Sequence, residues 1–158
     1  MNKHILFRVG EQTFAIPISS TDRVIHIENL TVVPDMSASV IGIQDVEGVI
    51  TPLIDMAQRF YGMKIENLDR SDTIIVNWKG EKIGIAVNEV LSVETYYETQ
   101  VSKDRKQLDK MDGLATSYIS NFVQTDTGII PILDTNLLFN AEQAEEIRAL
   151  LEIDSIQH

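Results

Sequence analysis

Gly42-Ile43-Gln44-Asp45-Val46-Glu47-Gly48-Val49-Ile50-Thr51-Pro52-Leu53-Ile54-Asp55-Met56 returns, diluted, as Asn121-Phe122-Val123-Gln124-Thr125-Asp126-Thr127-Gly128-Ile129-Ile130-Pro131-Ile132-Leu133-Asp134. In each copy a glycine, Gly48 or Gly128, stands between apolar runs where a hairpin turn is needed. The strand that follows carries a proline, Pro52 or Pro131, which removes a ladder donor and belongs on an edge or at a bulge. Asp55 and Asp134 then end the two strands.

Outward from these twins the doubling continues. Ile5-Leu6-Phe7-Arg8-Val9, the turn Gly10-Glu11-Gln12 and Thr13-Phe14-Ala15-Ile16-Pro17-Ile18 read as a hairpin. About seventy residues later, too far for a stacked solenoid unit, Thr73–Trp78, Lys79-Gly80-Glu81 and Lys82–Val87 repeat it. Gly10-Glu11 reads onto Gly80-Glu81, and Val24-Ile25 onto Val90-Leu91. Each copy holds about five short strands at spacings typical of small closed barrels.

Helices are few. Asp55 with Gln58 and Asn140 with Gln143 have the spacing of capping boxes. The second opens an amphipathic helix over 141–153, with Ala144, Ile147, Leu150 and Leu151 on its apolar face and Glu142, Glu145, Glu146 and Arg148 toward water. Residues 35–39 are expected to form another short helical turn, and Ser102 to Ser117 a polar loop.

Composition narrows the chemistry. The 158 residues, 44% hydrophobic, suffice for a packed core, and with no cysteine and three histidines a metal cage or thiol nucleophile is a poor fit. We expect no cofactor. A net charge of −11 opposes binding to nucleic acid or anionic lipid, and only Lys103 to Lys110 is locally basic. No leader or membrane-spanning run is apparent, which places the protein in the cytoplasm without membrane insertion. Asp55 and Asp134 facing one cleft would suit acid-base catalysis, but as caps of the turns that follow them they need no such role. His4 and His26 lack a partner at catalytic spacing. Tyr96-Tyr97 reads as strand pairing rather than a base-stacking platform.

With no catalytic residue evident, the ordered series Phe14-Ala15-Ile16-Pro17-Ile18, Val24-Ile25, Val33-Pro34, Gly42 to Gly48, Pro52-Leu53-Ile54-Asp55, Gly84-Ile85-Ala86-Val87 with Val90, and Ile130-Pro131-Ile132-Leu133-Asp134 resembles the chemotaxis coupling proteins of the CheW type, from about Ile5 to Leu138. The resemblance implies a single domain over 1–158, mainly β, made of two intertwined five-stranded SH3-like β-barrel subdomains, about 15–70 and 1–14 plus 71–140. It also implies a noncatalytic scaffold that joins the chemoreceptor cytoplasmic tip to the regulatory domain of a CheA-type histidine kinase. The seam receiving the receptor would hold Ile18, Thr21, Val24, Ile43, Val49, Val87 and Val90, of which Thr21 departs from the aliphatic residue usual in the family.

Two further departures are reciprocal. Where the family usually reads Asn-Leu-Arg-Gly this chain has Asp45-Val46-Glu47-Gly48, and where it usually has an acidic residue before Val24 this chain has Arg23. We expect Arg23 and Glu47 on adjacent strands, forming the family's charge pair with its polarity exchanged. Asn88 for the usual aspartate and Asn121 for the usual glycine are expected to preserve left-handed turns. Other readings are a carboxylate enzyme using Asp55 and Asp134, a diverged adaptor outside chemotaxis, or a free-standing copy of a kinase regulatory domain.

Overall fold

The computed structural model describes residues 2–97, 100–102 and 118–156. Strands β1 (Asn2–Val9), β2 (Gln12–Pro17), β3 (Thr21–Ile25), β4 (Val40–Val46), β5 (Val49–Asp55), β6 (Asp72–Trp78), β7 (Glu81–Val87), β8 (Glu89–Tyr96), β9 (Val101–Ser102), β10 (Ile119–Thr125) and β11 (Gly128–Leu133) are joined by α1 (Met56–Tyr61) and closed by α2 (Ala141–Ile156). They form two sheets, ordered β8-β1-β2-β11-β10-β9 and β3-β6-β7-β5-β4.

The order records an exchange. Hairpin β1–β2 leaves the first repeat to lie between β8 and β11 of the second, while β6–β7 lies between β3 and β5 of the first. The twin proline strands make the two parallel junctions, Leu53 opposite Gly84 and Ile132 opposite Ala15. Both junctions begin one residue past the proline, so each proline sits where its strand is still an edge on that side, and the missing N–H costs no ladder bond there.

These registers correct the sequence reading of the repeat. Ala15 is the counterpart of Gly84, and the hairpin turns are Gly10-Glu11 and Lys79-Gly80, one residue out of step with the match of the two Gly-Glu pairs. Val24 pairs with Ile74 as Val93 pairs with Ile5, and Thr21 pairs with Val76 as Val90 pairs with Phe7. Val93, not Val90 or Leu91, is therefore the counterpart of Val24. Lys79-Gly80 and Glu47-Gly48 both have positive φ at two successive residues, 47° and 82°, then 50° and 85°, as a two-residue hairpin with right-handed strand twist requires.

The expectation of five strands in each half holds for one sheet; the other gains β9 as a sixth. Among the described residues neither ladder closes on itself. In the five-stranded sheet the place of a sixth strand is taken by one bridge, Thr31 opposite Ile43, and Ser102 opposite Phe122 is its counterpart on β9. Gly42 is needed here, because a Cβ would overlap the Thr31 carbonyl oxygen.

The main core lies between the exchanged hairpins, Phe7, Phe14 and Ile16 from one facing Ile74, Val76 and Ile85 from the other. Phe60 links Phe14 and Tyr118 across it, tilted against the first at 5.1 Å and stacked on the second at 4.5 Å. A smaller cluster, Leu6, Ala15, Val123 and Ile132, fills the far face of the six-stranded sheet. Helix α2 buries Ala144, Ile147 and Leu150, and Asn140 and Gln143 exchange side-chain to backbone bonds of 3.0 and 2.8 Å, a complete capping box. Glu146 does not simply face water: its carboxylate accepts the Ser37 amide at 3.1 Å and hydroxyl at 2.7 Å. Residues 35–39 form turns and irregular chain rather than a helix, the Ser37 amide being taken by Glu146 and the Ser39 carbonyl by the Asp55 amide. Asn88 and Asn121 have ordinary negative φ: Asn121 lies at a strand bulge, and Asn88 is held by accepting the Gly10 amide at 2.8 Å. Of the loop expected from Ser102 to Ser117, Ser102 belongs to β9, while 103–117, including Lys103 to Lys110, lies outside the described residues.

Candidate docking surface

The two recurrent aspartates act as caps. Asp55 is buried, its Oδ1 accepting the Gln58 amide at 3.0 Å and its Oδ2 the Ile65 amide at 3.0 Å. Asp134 accepts the Asn136 amide at 2.9 Å at the start of a 3-10 turn. Each carboxylate is engaged by backbone donors, as capping requires. Tyr96 packs against His4 with ring centroids 5.5 Å apart while Tyr97 lies beyond the strand, so the two do not form a stacking platform. Among the described residues no group of three histidine, cysteine or acidic side chains is placed to hold a metal ion, and no helix is long and apolar enough to cross a membrane.

The surface residues are organised by one edge of each sheet, β3 and β8. Ile18, in the 3-10 turn that carries the chain from β2 to β3, is 41% exposed, and Val24 on β3 is 42% exposed. Thr21 is half-buried and donates its hydroxyl to the Ile18 carbonyl at 2.8 Å, a local turn bond that an aliphatic residue would lack. Val49, just past the β4–β5 turn, is exposed and Val90 half-buried. Val87 is fully buried and Ile43 nearly so; their side chains belong to the core and offer nothing to a partner. Leu91 and Val93 are exposed on β8 and were not among the residues singled out in the sequence. The signal for them is the repeat itself, once its register places Val93 with Val24.

Arg23 and Glu47 form an ion pair, Nη1 to Oε1 2.5 Å. They do not lie on adjacent strands. β3 and β4 are opposite ends of the five-stranded order, and Glu47 stands in the turn after β4, so the pair spans the gap between the sheet's two free edges. Asp22 adds a second carboxylate 3.3 Å from Arg23 Nε. The hydrogen bond from Glu47, then its charge, then Asp22 raise the Arg23 pKa above its usual value. Behind the pair, Gln44 is buried; its Oε1 accepts the Glu28 amide at 3.0 Å and its Nε2 donates to the His26 carbonyl at 3.4 Å. A cleft of about 300 Å³ remains, lined by Arg23, Glu28, Gln44, Asp45 and Glu47 among others. With Arg23 opposed by two carboxylates, its rim is acidic.

The comparisons extend this geometry to other chains. A family model described as the CheW-like domain matches residues 3–143. The chain is 24% identical to the chemotaxis protein CheW of Bacillus subtilis (strain 168), over 90% of each chain. It is 22% identical to that of Treponema pallidum (strain Nichols), over 92% of this chain and 86% of the other. The crystal structure of the scaffolding protein TtCheW from Thermoanaerobacter tengcongensis superposes with a TM-score of 0.77 at 25% identity, covering 89% of this chain and 88% of that one. Since the family model spans nearly all of the sequence and the same two-sheet fold recurs in a solved scaffold, this chain belongs to the CheW-like domain family.

Proposed function

We propose that this protein is a noncatalytic scaffold of bacterial chemosensory signalling, working in the cytoplasm to join a chemoreceptor tip to the regulatory domain of a CheA-type histidine kinase. The observation that carries this reading is the near full-length match to the CheW-like family, on a fold whose recurrent carboxylates are occupied as caps. The two sheets act as the two barrel-like subdomains, divided along the exchange: β1 and β2 with β8 to β11, and β3 to β5 with β6 and β7. Ile18, Thr21, Arg23, Val24, Glu47, Val49 and Val90 line the docking surface, and the exposed aliphatic members suit a helical hairpin laid across the edges.

The acidic rim favours one refinement. A partner approaching Glu47 meets excess negative charge, so its matching position carries a lysine or arginine, and a partner built for a basic rim is repelled. This supports a rewired adaptor, serving its own receptor set or a signalling pathway other than chemotaxis. A pull-down with a CheA regulatory domain and a receptor-tip fragment, comparing the native chain with Glu47→Arg, tests both levels. Kinase binding by the native chain, with receptor binding gained only in Glu47→Arg, is the expected result for a rewired adaptor. Loss of binding to both partners by the native chain would remove the scaffold reading.

A further inference from the structure

We infer that Asp72 is a positioning residue that holds the β3 and β8 edges in one fixed relation; the inference rests on the docking reading above. Asp72 opens β6, opposite Val87 at the end of β7. After Val87 the chain leaves the five-stranded sheet and enters the six-stranded one as β8. The Asp72 carboxylate reaches across that departure: Oδ2 accepts the Val90 amide at 2.8 Å, while Oδ1 stands 3.6 Å from Nδ1 of His26, the residue that follows β3. Its side chain is 22% exposed, shielded enough for the charge-assisted bond to hold the backbone of Val90.

The position matters because β1 already fixes β8 within its own sheet. Asp72 ties the same strand to the other sheet, on the side where β6 carries β3. The opposite crossover, from β2 to β3, is shaped by a local turn through Thr21 and Ile18. A rigid hairpin resting on both edges needs Val24 and Val93 at a set separation, and preorganising that separation is Asp72's contribution.

The test is binding of a receptor-tip fragment to the full chain and to Asp72→Ala and Asp72→Asn. Asp72→Asn keeps an oxygen for the Val90 amide and should bind within roughly threefold of the native chain, while Asp72→Ala should lose roughly tenfold or more and still melt cooperatively. If Asp72→Ala does not fold, Asp72→Val, well suited to a strand start, takes its place. Native-like binding by the folded variant lacking the acceptor overturns the inference. If the native chain does not bind the fragment, as a rewired adaptor would not, the same variants are compared in the Glu47→Arg background; if that background does not bind either, the docking reading fails and residual dipolar couplings decide the inference. An unchanged angle between the sheets in Asp72→Ala would overturn it; a changed one would support it.

Discussion

The two sheets are built on one plan and held at their open sides by different chemistry. On the six-stranded sheet the apolar Val123 sits inside and a short sixth strand, β9, lies along β10. At the matching position of the five-stranded sheet stands Gln44, whose amide reaches the backbone of 26–28 in place of a ladder. Among the described residues only Thr31 pairs there, and the Arg23–Glu47 bridge spans what is left. A strand edge with unpaired backbone groups invites foreign pairing. One half answers that with more strand, the other with a buried, satisfied amide and a surface ion pair. The half tied by side chains is the one whose local chemistry a few substitutions can change without disturbing the core.

Exchanging residues between the halves tests this contrast, and the largest effect should come from Gly42. Gly42→Ala forces a methyl into the Thr31 carbonyl, a backbone atom with little room to move, and should cost about 3 kcal/mol in chemical denaturation. Asn121→Ala, at the matching bulge, should cost less than about 1 kcal/mol. Equal costs would mean that the two bulges are not packed differently.

Next are the caps. Asp55→Ala strands two amides, one of them buried, and should lose about 2 kcal/mol. Asp134→Ala removes one exposed bond and should lose about 1 kcal/mol or less.

Smaller still is a pH effect confined to one half. His4 on β1 is matched in the other half by Thr73 on β6, which does not titrate. Burial lowers the His4 pKa from its ordinary 6.5, partly offset by a bond to the Asn2 carbonyl. Because the folded state resists protonation, the unfolded chain binds the proton first. Stability should therefore be full above pH 6.5 and decline as pH falls through that value toward the lower folded one. Melting curves across that window should flatten in His4→Thr.

The smallest effect is expected from Arg23→Glu and Glu47→Arg. Each alone should lower stability slightly, and the double variant should recover it, because both groups are exposed and solvent weakens their attraction. Strict additivity would show that the bridge spans the gap without holding it.

Turn signals and binary pattern made much of the fold legible before any coordinates. The hairpins, the proline strands and the capped helix with Ala144, Ile147 and Leu150 inward follow from local chemistry and spacing, whereas the charge exchange at Arg23 and Glu47 is visible only against the residues usual in the family. The surface was less legible. The family resemblance put Val87 and Ile43 in the seam without telling which sheet face is covered, and both are buried. Leu91 and Val93 were missed because the sequence reading matches Val24-Ile25 to Val90-Leu91; both halves carry a bulge at the same place, after Thr21 and after Val90, so the repeat keeps one offset that sets Val93 against Val24.

What the sequence by itself determined is a doubled β plan with its turns, caps and apolar faces, since each depends on neighbours within a few positions. Tertiary structure alone decided that the hairpins trade places, and that Arg23 meets Glu47 across an open gap rather than along a ladder. The physical reason is that strand partners are chosen by long-range burial: once the two hairpins share a core, each must leave its own repeat and complete the other.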